Sequence, residues 1–376
     1  MIPLSVLDLS PVPVGGTVPA ALRDTLDLAR RAEALGYRRY WLAEHHLAPG
    51  VAGSAPQILI AAVAAATERI RVGSGAVQTG HWTPLAIVEQ FGTIDALHPG
   101  RIDIGLGRSG QRRAEERTGA PPPASPPPPP PPRERRIVDG LLIPPPIDFA
   151  RLAANPAHTR FTHLLERPGV PDFAQVVDDI TALLDGTYRS ADGHVAHATP
   201  GEHAEVELWI LGSSGGQSAQ VAGERGLPFA ANYHVAPSNV LEAVDAYRAA
   251  FKPSGVLDEP YVIVSADAVV APTDAEAREL ASPYALWVHS IRSRLSAVPF
   301  PTPADAAAHT WRDEEWELVA DRVDTQFVGS PGTVVAGLRT LQRATGADEL
   351  LVTTITHDHA DRVRSYELLA AAWGLA

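Results

Sequence analysis

The chain has 376 residues, a formal net charge of -13 at pH 7, 45% apolar side chains and no cysteine. An acidic surface of that size repels nucleic acid and anionic membranes, and the missing thiols exclude disulfides, iron–sulfur clusters, thiolate zinc sites and a cysteine nucleophile. What remains is a protein with a large core and a small-molecule ligand, long enough for one α/β barrel or for two ordinary domains.

Residues 1–10 place no basic residue before their apolar run, and the longest later run, 58–66, is too short to cross a bilayer. No membrane association is expected, and the default location is the cytoplasm. In chain order, periodicity predicts a strand over 2–9, after which Thr17 and Pro19 open a helix whose Leu22, Leu26 and Ala29 share one face until Gly36 ends it. A second strand, 39–43, runs into Glu44, His45 and His46. Titratable groups at the end of a strand stand at the edge where parallel α/β sheets hold ligands. Successive strand residues face opposite sides and cannot readily share a metal ion. The chemistry on offer is an imidazole working as acid or base, with a hydrogen-bonded structural role favoured for His46.

An alanine-rich helix over 56–66, a strand over 71–76, a helix over 84–97 and a strand over 101–106 follow. Beyond Ser109 the pattern breaks. Ten of the twelve residues 121–132 are proline, which cannot donate the hydrogen bonds of helix or sheet, so this stretch reads as a polyproline II surface insertion, disordered or lid-like, with a ligand for a proline-recognition domain as the rival reading. Regular periodicity resumes with a helix over 172–184. Strands over 207–211, 229–232, 261–270 and 349–354 then alternate with helices beginning near 217 and over 240–251, 333–344 and 360–373, interrupted by a second insertion at 282–324. Eight strand–helix units predict a TIM (β/α)8 barrel, one domain over 1–376, with insertions at about 109–170 and 282–324, after strands four and seven. Catalytic residues then belong just after strands.

Gly105, Gly107 and Gly110 spell the dinucleotide fingerprint after a strand. The helix and the ribose-binding acid it needs would fall in or beside the proline run, so the better reading is a flexible loop that lets backbone approach a ligand while Arg108 offers a fork of donors to phosphate. Residues 212–218 (GSSGGQS) follow strand five and open a helix. This is either a phosphate-binding terminus or an ordinary cap made by Ser214 or Ser218, and Arg108 on the neighbouring strand tips the balance toward phosphate. His357, Asp358 and His359 invite a metal reading, but Asp358 suits the cap of the last helix, and no metal centre is assigned. Trp82, Tyr233 and His234 stand after strands and either line a substrate pocket or pack in the core.

Several segments taken together, 40–46 (YWLAEHH), 84–107 (PLAIVEQFGTIDALHPGRIDIGLG), 211–229 (LGSSGGQSAQVAGERGLPF) and 328–369 with VGSPGTV, GADELLV, THDH and RSYELLA, resemble the bacterial luciferase-like flavin-dependent monooxygenase superfamily. The resemblance implies reduced FMN at the C-terminal face of the barrel, reacting with oxygen to oxygenate a small organic substrate. It implies His45 as the catalytic histidine and Arg108, Ser214, Gly215 and Ser218 as phosphate ligands. Gly75 and Ala76 would pass behind the isoalloxazine, with the cis peptide seen in this superfamily. With no nicotinamide site in the sequence, a separate flavin reductase is the implied partner, and a homodimer stays open. The alternatives are a deazaflavin-dependent reductase or dehydrogenase on the same barrel, a non-catalytic flavin-binding protein and a metal-dependent hydrolase.

Overall fold

Apolar residues two apart on successive strands all turn toward one axis, and this is what closes the sheet. The structure, a computed structural model, describes residues 1–108, 134–147, 161–165, 169, 171–294 and 296–375. Eight parallel strands form a ring: β1 (Leu4–Asp8), β2 (Arg39–Leu42), β3 (Arg71–Ser74), β5 (Ile102–Gly107), β8 (Glu207–Gly212), β9 (Phe229–Asn232), β10 (Val262–Val270) and β12 (Glu349–Thr353), the last pairing back to β1 through Leu4–Leu350 and Val6–Val352. The expected TIM barrel is present. Its strands match the predicted ones within a few residues, and helices α1 (Val18–Ala34), α2 (Pro56–Ala66), α3 (Pro84–Leu97), α4 (Phe173–Leu184), α5 (Gln217–Glu224), α6 (Val240–Ala250), α12 (Pro331–Thr345) and α13 (His359–Trp373) surround them. Among the described residues no helix is long and apolar enough to cross a membrane.

The interior is filled in layers, as close packing of a narrow barrel requires. Leu7, Trp41, Trp209, Ala230, Ile263 and Leu351 form the middle layer, with Trp41 and Trp209 edge to face at 5.3 Å. Below it the N-terminal end is closed by charge. Arg39 donates to Asp103 at 2.8 Å, Glu207 at 2.7 Å and Glu349 at 3.2 Å, while its guanidinium lies 4.7 Å from the Trp209 ring centre. Arg71 holds the other oxygen of Asp103 at 2.7 Å. This charged network occupies the N-terminal end of the barrel axis. A cavity of about 470 Å³ does lie at the N-terminal end, lined among others by Arg38, Glu207, Trp209 and Tyr261. The charges on its barrel wall, however, already neutralise one another.

Both insertions follow strands four and seven of the ring, as expected, and both hold more order than their sequences suggested. In the first, β6 (Arg136–Val138) and β7 (Leu141–Ile143) make an antiparallel hairpin. Its turn is Asp139-Gly140, both at positive φ (49° and 84°), a two-residue hairpin signal between apolar runs that the sequence reading passed over. The proline run at 121–132 and Gly110 lie outside the described residues. The second insertion carries α8 (Tyr284–Arg294), α9 (Pro303–Ala308), α10 (Asp313–Glu317) and α11 (Ala320–Asp324). It is preceded by α7 (Asp274–Ala281), which Thr273 and Glu276 start with a reciprocal capping box, and followed by β11 (Phe327–Gly329), which pairs with β10.

A further correction concerns the glycines after strand four. Gly105 and Gly107 belong to β5 itself and not to a loop. A side chain on Gly105 would meet the Ser74 carbonyl at 2.0 Å, so this glycine serves the close approach of β3 to β5. Strand β3 stops at Ser74, two residues earlier than expected, where the Gly75–Ala76 peptide is cis and a short β4 (Val77–Gln78) resumes pairing with β5.

Candidate active site

At the exit of β2, alternation decides which side chain faces the axis. Trp41 and Ala43 belong to the interior layer, so His45 is the next residue to point inward. It keeps accessible surface because it faces the open mouth. It is also surrounded deeply enough that desolvation lowers its pKa to about 4, Glu44 opposing and His46 and Arg322 adding to the fall. Its imidazole is neutral at physiological pH and free to accept a proton.

Glu44 is buried and faces the other way, with both oxygens occupied. One meets His46 Nε2 at 2.8 Å and accepts from Trp82 Nε1 at 3.0 Å, and the other accepts the Gln78 N–H at 2.7 Å. This gives His46 the structural role favoured for it. Trp82, expected to line a pocket, uses its one donor on Glu44 and serves as a wall fixed to β2.

His234 and Tyr233 separate in the same manner. Ala230 is part of the interior layer and Asn232 reaches Ser265 Oγ at 3.2 Å, so Tyr233 turns outward and His234 inward. The Tyr233 phenol is buried in the layer outside the strands and donates to the Leu142 carbonyl at 2.6 Å, which ties the hairpin to the barrel. Of the two roles the sequence left open for it, Tyr233 takes the core-packing one. His234 does face the mouth, with Nδ1 2.6 Å from Ser265 Oγ. Desolvation, then Arg322 and His45, lowers its pKa to about 3. The influence of His45 on His234, and of Arg322 on both, means that these three side chains share one space.

The sign of the His234 shift gives a test. An unfolded chain takes up a proton on this histidine near its ordinary value of 6.5, and the folded chain only near 3, so between those values the unfolded state holds more protons and stability falls as pH falls. In His234→Gln that loss is removed. A melting-temperature profile across this window should be flatter for the variant, and parallel profiles would contradict the placement.

Between β3 and β9 in the ring, Gly107 of β5 pairs with Leu211 of β8, which sets Arg108 beside the loop that leads into α5. That helix begins at Gly216 with no side-chain cap; a long bond, 3.4 Å, runs from the Gly216 N–H to Ser214 Oγ, and the Ala219 N–H turns back to the Gly216 carbonyl at 3.1 Å. The ordinary-cap alternative is therefore not adopted: neither Ser214 nor Ser218 caps the N-terminus of α5, and both hydroxyls belong to its opening segment. Gly215 sits where a side chain would come within 3.1 Å of Ala246 Cβ. Backbone amides, hydroxyls and a positive dipole end suit a phosphate monoester, and the residues present fit the phosphate of a flavin nucleotide.

His357, Asp358 and His359 point apart. His357 Nε2 lies 3.0 Å from the Val14 carbonyl, His359 Nε2 3.0 Å from Asp27, and Asp358 caps α13 by accepting from the Ala360 N–H at 2.8 Å.

The model of the family described as luciferase-like monooxygenase matches residues 2–136 and 170–349. The chain belongs to the luciferase-like monooxygenase family. Among relatives, it is 38% identical to the uncharacterized protein YvbT of Bacillus subtilis (98% of this chain, 96% of the other) and 34% identical to a luciferase-like monooxygenase of Escherichia coli (98% and 96%). Among solved structures, apo-MsnO8 is similar over 100% of this chain and 98% of its own, at 33% identity and a TM-score of 0.79. Two more distant structures share the fold alone. They are the oxygenating constituent of 3,6-diketocamphane monooxygenase from Pseudomonas putida in complex with FMN (18% identity, TM-score 0.64, 98% and 97% covered) and an F420-dependent secondary alcohol dehydrogenase (14%, 0.62, 99% and 98%). Like the rest of the luciferase-like monooxygenase family, the chain is a flavin-dependent oxidoreductase.

Some residues at the mouth were missed by sequence reasoning. Arg322, Tyr284 and Trp287 lie in the second insertion, to which the sequence assigned no site residue, and Asp267 lies within a strand read only for its apolar pattern. The one available signal was Asp267 itself, the single charged residue in a run of nine that is apolar apart from it and Ser265, which asks for a partner.

Proposed function

We propose that the chain is a cytoplasmic, single-domain, two-component FMN-dependent monooxygenase, supplied with reduced FMN by a separate flavin reductase and acting on a small organic substrate with oxygen. The observation that carries this reading is the uncapped start of α5 beside Arg108, at the same C-terminal mouth as the neutral His45 and His234. Bound reduced flavin would supply the two electrons that activate oxygen. The protein's own part is to hold the phosphate with Arg108, Ser214, Gly215 and Ser218, to present Gly75 and Ala76 as a flat backbone surface, and to accept or return a proton at His45. The wall of Trp82 and the second insertion limit water at the mouth, which oxygen chemistry on a flavin demands.

Arg108→Ala is expected to weaken FMN binding by about 10- to 150-fold, the equivalent of a charge-assisted hydrogen bond of roughly 1.5–3 kcal/mol, and to leave riboflavin binding nearly unchanged. Flavin fluorescence titration of both ligands checks it, and equal losses would remove Arg108 from the phosphate site. A deazaflavin-dependent reductase or dehydrogenase would use the same barrel. It is separated by oxygen consumption, which a monooxygenase shows with reduced FMN and a hydride-transferring enzyme does not.

A further inference from the structure

Four arginines among the described residues are less than a tenth exposed: Arg39, Arg292, Arg322 and Arg362. Three of them meet a carboxylate, Arg39 at Asp103 and Glu207, Arg292 at Asp321 and Arg362 at Asp8. Arg322 differs. Its Nη2 donates to the Tyr284 phenol oxygen at 2.7 Å, its Nε is buried with no partner, and it makes no salt bridge among the described residues.

Its surroundings are arranged in the same sense. Asp267, on β10, is an acid whose charge Arg322 opposes. One of its oxygens accepts from Gln326 at 3.1 Å, the Tyr284 phenol stands between it and Arg322, and burial raises its pKa against the opposing pull of Arg322, Tyr284 and Gln326. Asp267 is therefore a weak counter-ion. Its register partner on β12, Thr353, has an unpartnered buried hydroxyl, and Trp287 Nε1 is unpartnered too. Unsatisfied polar atoms thus gather where strands seven and eight of the barrel end, on the space shared with His45 and His234. A guanidinium taken out of water without a direct ion pair is costly. A ligand that brings a planar oxyanion removes that cost and suits the fork of donors.

We propose that Arg322 is the anion seat of the substrate pocket, and that the site accepts an organic acid whose carboxylate pairs with Arg322 while its oxidisable part lies toward His45 and His234. The oxidation rests on the monooxygenase reading; the binding of the acid does not. A reduced flavin ring offers an oxyanion of similar chemistry, but Arg322 stands with β10 and β12, separated by β9 from the β5 and β8 ends that carry the phosphate donors.

The test uses the full chain and two probes of one shape, benzoate and neutral benzamide, titrated by calorimetry with and without FMN. Benzoate is expected to bind at least about tenfold tighter than benzamide, and Arg322→Gln to abolish that preference. The affinity of Arg322→Gln for FMN is expected to stay within about twofold of the parent, as for independent sites. Arg322→Lys keeps the charge and loses the fork, so an intermediate preference is expected, and it serves as the readout should the glutamine variant fail to fold. Equal binding of the two probes, binding of neither, or a benzoate preference that survives in Arg322→Gln overturns the proposal. So does a variant that loses FMN and keeps benzoate, which would assign Arg322 to the flavin. A protein that binds benzoate through Arg322 but binds no flavin would sustain this inference and refute the proposed function.

Discussion

His45→Ala is expected to lower substrate oxygenation by about 10²- to 10⁴-fold, the range for a positioned acid or base, while reduced FMN still binds. Retention follows from the layout, because the proposed phosphate donors are Arg108 just after β5 and the start of α5, whereas His45 leaves β2, which β3 separates from them in the ring. With its pKa lowered to about 4 by desolvation, His45 is neutral throughout the neutral range, so its acceptor role does not vary there. Oxygen uptake should continue in the variant, with most of the oxygen leaving as hydrogen peroxide, and the ratio of peroxide to oxygenated product is the quantity to measure. His46→Ala is the control: it breaks the pair with Glu44 and should cost stability more than coupling. Unchanged product yield in His45→Ala would place the chemistry on another residue, with His234 the next to examine.

The largest effect on stability is expected at the opposite end. Arg39→Ala leaves Asp103 and Glu349, both fully buried, and the partly exposed Glu207 without their shared cation. Breaking a buried ion pair from one side costs about 3–5 kcal/mol, because the remaining charge stays out of water. Although burial disfavours its charge, Asp103, Glu349 and Glu207 together raise the pKa of Arg39, so the cation is present at every working pH. Urea unfolding of the parent and the variant measures the difference, and FMN affinity should be preserved because the network is separated from the mouth by the Trp41 and Trp209 layer. A loss below about 1 kcal/mol would put this network in the class of surface ion pairs.

What the amino-acid order determined by itself was the alternation. Eight apolar runs of four to nine residues, each followed by a segment of helical period, specify a barrel because both faces of every strand must be covered. The position of His45 after β2 and the Ser/Gly-rich start of α5 were legible for the same reason, since the C-terminal ends of such strands meet at one mouth whatever the details of packing. Tertiary structure alone decided the rest. Tyr233 and His234 are neighbours whose roles are opposite, and the run Phe229–Asn232 carries no alternation to say which of them faces inward; only pairing with β8 and β10 sets that phase. Arg39 and Glu349 are 310 residues apart, and Arg322 reaches the mouth from a helix of five residues with too short a period to read. Local pattern reports which face of an element is apolar. Where a charge finds its partner, or finds none, depends on distances between elements that exist only once the barrel has closed.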